Sequence, residues 1–266
     1  MRTLIKITCC VFAVVFLMAS CLGDTEQAIE KTNDFAYFKI ENGVKYAVTG
    51  LGYPIYAQDM SEFENGECYL ISYKLNGTTD TNGIYFAETL YRNEGPFNKS
   101  SLSTGTPYSG ISLDQQSDSI QITSFEPQYG SPSKSMYGDN WLFKVTASVK
   151  SGDNLKAYFY YNPEDQIDEN RADEVGVEAK KLIVDVRFIK EAGNGEGTAS
   201  NKTFYILGNL GSLRYLSIPV GTEGYTNIPI KFRYTTPVSN STPKLAYKGS
   251  WNTGGSTIVY VMQYTN

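Results

Sequence analysis

The chain has 266 residues, a formal net charge of −5 and no histidine. Without imidazole there is no Ser-His-Asp or Cys-His catalysis and no His-ligated zinc, so an enzyme here would work with carboxylates, Lys or Tyr. The acidic balance, with no basic cluster anywhere, disfavours a nucleic-acid partner, because phosphate contacts supply most non-specific affinity for that class.

The first residues read "MRTLIKITCCVFAVVFLMAS". Arg2 and Lys6 form a basic start, and an apolar run of about a dozen residues follows. A spanning helix needs about 20 apolar residues, so residues 1–20 read as a secretion signal to be removed. Leu17, Ala19 and Ser20 lead into Cys21 in a pattern that resembles the bacterial lipobox. That resemblance implies diacylglycerol on the Cys21 sulfur and a further acyl chain on its new amino terminus. Each buried CH₂ contributes about 0.8 kcal/mol, so several chains make a durable tether without a membrane helix. Downstream, no apolar run approaches a membrane span, and the expectation is a soluble body on a lipid leash.

Residues 21–34 are polar and read as a tether. Asp24 and Glu26 resemble the acidic export signals of Bacteroidetes lipoproteins, and that resemblance implies an outer-membrane location, at the periplasmic face or at the cell surface. Cys9 and Cys10 leave with the signal and Cys21 takes lipid. Cys68 is then left without a disulfide partner, and within "ECYLISYKL" it reads as a small buried hydrophobe on a strand.

From there the chain alternates short runs rich in Tyr, Phe, Thr, Val and Ile with Gly, Asn, Asp, Ser and Pro, the pattern of an all-β protein with little helix. Strands are expected at 35–41, 44–50, 67–75, 83–91 and 118–125. Further strands are expected at 141–150, 155–161, 180–189, 202–207, 228–235 and 256–264. Asn-Gly pairs at 42–43, 65–66 and 76–77 mark hairpin turns, because a type I′ turn needs positive φ at both central residues. A Ser/Thr/Gly/Pro-rich stretch over about 93–140 suggests a boundary near 135. The expected domains are therefore 35–135, carrying the Ser/Thr-rich extension, and 136–266.

The lipobox, then "ENGVKYAVTGLGYPIYAQDMSEFENGECYLISYKL", "NLKAYFYYNP", "LIVDVRF" and "IPIKFRYTT" in that order, resemble the NigD-like lipoproteins of Bacteroidetes. The resemblance covers most of the chain after the signal. It implies a small OB-like barrel followed by an antiparallel β-sandwich, with an immunity-like role suggested by that family's association with bacteriocins. Phe188 stands where the family often has a basic or His residue. The resemblance carries over no functional residue except Cys21.

The chemistry within the body is sparse. There is no GxSxG elbow, phosphate loop or metal-ligand cluster, so neither catalytic residues nor a cofactor or metal is expected. In the acidic loop 164–174, Asp165, Asp168, Asn170 and Asp173 offer hard oxygens, but the glycine of an EF-hand loop is missing, and a solvated loop is the plainer reading. Glu88, Glu126, Asp185 and Glu191 are the acids from which a glycosidase pair would be drawn. The densest aromatic run, "YFYYNP", puts Tyr158 and Tyr160 on one strand face as candidate glycan contacts, although packed sandwich aromatics are the plainer reading. Asp118-Ser119-Ile120 matches a short O-glycosylation pattern at Ser119. The expected function is a non-catalytic binding or protective role toward a peptide, protein or glycan. The alternatives are a glycan-binding accessory protein, an adhesin-type subunit that pairs by its edge strands, and a carboxylate-dependent glycan enzyme.

Overall fold

The computed structural model describes residues 28–107, 120–130, 134–169, 175–191, 193, 197–218, 225–236, 244–251 and 257–263; Cys21 and Ser119 lie outside these. The first five strands are β1 (Glu30–Glu41), β2 (Val44–Thr49), β3 (Pro54–Tyr56), β4 (Cys68–Thr79) and β5 (Tyr85–Glu94). They close into a barrel in the order β1-β2-β3-β5-β4, with β4 returning to pair with β1. This Greek-key order, with β3 parallel to β5, is that of an OB-fold, as the resemblance implied. Phe38, Phe63, Tyr69, Ile71 and Leu75 fill the interior, and Phe38 stacks on Phe63 with ring centroids 4.1 Å apart.

Turn chemistry accounts for the strand order locally. Asn42 and Gly43 both take positive φ, 52° and 80°, and Glu41 pairs with Val44 across them, as a type I′ hairpin requires. Asn76-Gly77 does not form the expected turn. It lies inside β4, where the register against β5 slips between Leu75 and Thr79 and the added residues are absorbed as an irregularity. The turn comes at 80–84 instead, because the Asp80 Oδ1 accepts the N–H groups of both Asn82 and Ile84 at 2.8 Å. The tether is also shorter than expected, since Glu30 and Lys31 already pair with Lys74 and Tyr73 of β4.

The remaining elements build a sandwich. These are β6 (Lys99–Ser101), β7 (Ser103–Thr104), β8 (Gln121–Tyr129), helix α1 (Lys134–Tyr137), β9 (Asn140–Val149), β10 (Asn154–Tyr161) and β11 (Leu182–Glu191). After them come β12 (Ser200–Asn209), a 3₁₀ turn (Gly211–Tyr215), β13 (Tyr225–Thr236), β14 (Lys244–Lys248) and β15 (Ile258–Gln263). One sheet runs β6-β12-β9-β8; the other runs β14-β13-β11-β10-β7, with β15 also on β13. Phe125, Phe143, Phe159 and Phe232 pack between them.

Two expectations change. β6, β7 and β8 come from the stretch assigned to the first domain, yet they pair within the sandwich sheets, so the strand pairing divides the chain at 95–98 rather than near 135. The polar composition of β6 and β7 conceals them, because both are short edge strands that stay largely exposed. The sandwich is also mixed rather than antiparallel: β11–β13, β12–β6 and β10–β7 are parallel pairs. After β11 the chain crosses to the opposite sheet as β12 and returns beside β11, and such a crossover makes the returning strand parallel. β11 is consequently buried on both faces from Leu182 to Ile189.

Candidate functional site

A cleft of about 550 Å³ opens where the segment linking barrel to sandwich passes over the flank of the two sheets. Its floor is apolar, made by Phe97 of the linker, Leu155 and Ala157 of β10, and Ile206 of β12, all buried. Its rim is polar and aromatic, with Glu94, Lys99, Lys156, Tyr158 and Tyr205. Tyr205 is 37% exposed, so a large ring surface faces solvent at the mouth. Both rim amines are already matched: Lys156 pairs with Glu191 at 2.6 Å and Lys99 with Glu67 at 2.8 Å. Glu94 has no ion-pair partner among the described residues, so the rim carries no uncompensated positive charge to draw an anion.

The linker is held over the cleft by the seam between barrel and sandwich. Phe35, Cys68 and Leu70 from the barrel pack with Phe97, Tyr137, Leu142 and Leu207. The Tyr137 hydroxyl donates to the Thr49 carbonyl at 2.9 Å, and Phe35 stacks on Tyr129 at 5.4 Å. Gly50 is required there, because a Cβ would lie 2.3 Å from the Tyr129 ring. Cys68 sits within this seam fully buried; burial pushes its thiol up, so it is a packing residue and not a nucleophile. Burial likewise holds the Asp34 carboxyl above its ordinary range, although the hydroxyls of Tyr73, at 2.9 Å, and Tyr129 pull it down.

A second charged constellation lies on the outward face of the β11 sheet. Arg233 meets Asp185 through two parallel bonds of 2.7 and 2.8 Å and reaches Asp165 at 2.8 Å. Lys231 meets Asp168 at 2.5 Å, and the Trp251 indole N–H donates to the same oxygen at 2.8 Å. Gln166 exchanges bonds with both the N–H and the C=O of Ile183. These contacts clasp the segment 162–169 onto the sheet. Asp165 and Asp168, two of the four oxygen donors expected in the acidic loop, are thereby taken by cations; Asn170 and Asp173 lie outside the described residues. Among the described residues no cluster of three or more acidic or Cys side chains has metal-binding geometry.

The other expected sites separate. Tyr158 lines the cleft, whereas Tyr160 is only 4% exposed, since the register sets it beside Asp185 in the clasped part of the face. Tyr160 is thus corrected from a displayed ring to a packed one. The four acids weighed for a glycosidase pair are dispersed on β5, β8 and β11, and each meets a cation: Glu88 with Lys74, Glu126 with Lys248, Asp185 with Arg233 and Glu191 with Lys156. Glu94 and Tyr205 were not singled out from sequence. No local motif marks them, because the cleft is assembled from three segments far apart in the chain.

With this geometry in place, solved structures provide a comparison. The fold is shared with a Parabacteroides merdae protein. That uncharacterized protein superposes with a TM-score of 0.54 at 17% identity, over 86% of this chain and 97% of that one. A Bacteroides fragilis protein named provisionally as a lipoprotein aligns over 90% of this chain and 99% of its own, at 13% identity and a TM-score of 0.47. A Bacteroides vulgatus protein of unknown function covers 85% and 94%, at 9% identity and a TM-score of 0.47. No family model and no curated protein matches the chain. Among the described residues no helix is long and apolar enough to cross a membrane.

Proposed function

We propose that this chain is a NigD-like, lipid-anchored binding protein of the outer membrane, tethered at Cys21, non-catalytic, and taking its ligand in the cleft at the sandwich flank. The observation that carries the reading is the cleft itself: a mainly polar lining over a small apolar floor, framed by two tyrosines and by side chains whose charges are mostly neutralised internally. Such a surface offers contact area and hydrogen bonds without an activated nucleophile. Among the described lining residues Glu94 is the carboxylate, and glycoside hydrolysis needs two. A protective, immunity-like role would follow if the captured molecule were a toxic peptide.

Saturation-transfer NMR tests the reading with two probes: a mixture of neutral oligosaccharides, and a mixture of acetylated heptapeptides alternating Val, Leu or Ala with Lys, Ser or Thr. At least one probe receives saturation from the wild type. Tyr158→Ala weakens that binding about tenfold, the scale of one lost aromatic contact. Absence of transfer to both probes contradicts the proposal.

A further inference from the structure

Five consecutive residues of β10, Asn154 to Tyr158, line the cleft. A strand face presents every second residue, so an unbroken run means that the cleft follows the strand's edge. On one side β10 pairs with β11 from Asn154 to Tyr160. On the other, β7 reaches only Tyr160 and Tyr161. Two hydrogen bonds fix the direction of the backbone groups along that second edge. The Tyr161 carbonyl accepts the Gly105 N–H at 2.9 Å, and the Leu155 N–H donates to the Asn154 Oδ1 at 2.9 Å. Odd-numbered residues therefore turn their N–H and C=O away from β11, and Ala157 directs both into the cleft. Among the described strands none pairs with that edge before Tyr160. A backbone donor and acceptor in an apolar-floored cleft call for a partner.

We propose that the cleft takes an extended peptide segment, which adds as a strand beside Asn154–Tyr158 in line with β7. This rests on the cleft being the binding site. Main-chain bonds to Ala157 supply the pairing, and the alternation of the edge sets the peptide's pattern. Side chains on the Leu155 and Ala157 face enter the apolar floor beside Phe97 and Ile206, so they are apolar. Those on the Lys156 and Tyr158 face meet the polar rim, where unmatched Glu94 favours a Lys or Arg. Five edge residues at about 3.3 Å each accommodate a segment of three to five residues. A saccharide can satisfy single groups on this edge but cannot repeat along it.

Hydrogen exchange on the full chain, read at the Ala157 amide, tests this with the same heptapeptide mixture. Exchange at Ala157 slows about tenfold or more with the peptides, and the effect disappears when they are N-methylated at every second residue. Ala157→Pro removes the outward N–H without touching the β11 pairing and abolishes peptide binding with the melting temperature retained. Should that variant unfold, Glu94→Lys serves instead and weakens binding of the Lys-containing peptides. Protection by neutral oligosaccharides alone overturns strand addition and leaves the cleft as the binding site. Protection by neither overturns both, and N-methylated peptides that bind as well as the parent overturn strand addition.

Discussion

Arg233 holds two carboxylates at once, one of them the fully buried Asp185. Arg233→Met leaves the buried Asp185 carboxylate with Arg187 alone, at 3.3 Å, so it is expected to cost about 3 kcal/mol in urea denaturation, the lower end for breaking a buried pair. The double variant Asp185→Leu/Arg233→Met should recover only part of that, because Arg187 then loses its contact with Asp185, and a single variant as stable as wild type would argue against the clasp. Asp34 gives a pH signature of the opposite kind. Its carboxyl is raised above the unfolded value, so its favourable contribution is present below the unfolded pKa and lost as pH rises through the folded one. Asp34→Asn is free of that loss, and its urea midpoint relative to wild type should rise between pH 4 and pH 7. A pH-independent difference would contradict the assignment.

At the scale of elements, two glycines separate backbone freedom from packing. Gly43 has φ 80° with open space around it, and Gly43→Ala should cost about 1–2 kcal/mol from backbone strain alone. At Gly50 an added Cβ meets Tyr129 and Asp34, so Gly50→Ala should cost about 1–3 kcal/mol by forcing the seam apart. Thermal melts of both check this, with altered near-UV circular dichroism expected only for Gly50→Ala. The same contrast marks what could be read in advance. Asn42-Gly43 announced its hairpin because the turn is decided by two adjacent residues, and the long alternating strands were legible for the same local reason. β3, β6, β7 and β14 were not, being short edge or linking strands with little apolar pattern of their own. Alternation correctly placed Tyr158 and Tyr160 on one face, but which of them is displayed depends on Asp165 and Asp168 meeting cations on β13, over 60 residues away.

For the whole molecule, barrel and sandwich meet through a packed seam, and the cleft lies where the connecting segment leaves it. The proposed attachment is a separate property, expected from the lipobox-like sequence ending at Cys21. Cys21→Ser should abolish palmitate labelling and release the protein from the membrane fraction, whereas an unchanged distribution would remove the lipid anchor from the proposal. Capture of a ligand by the cleft is tested by photo-crosslinking. Tyr158→p-benzoylphenylalanine places the reactive group on the rim, and Tyr91→p-benzoylphenylalanine places it on a ring 62% exposed on the barrel and outside the cleft. With the heptapeptide and oligosaccharide mixtures supplied in turn, an adduct at position 158 and none at 91 is the predicted result. Equal adducts at both positions, or none at 158, would contradict it.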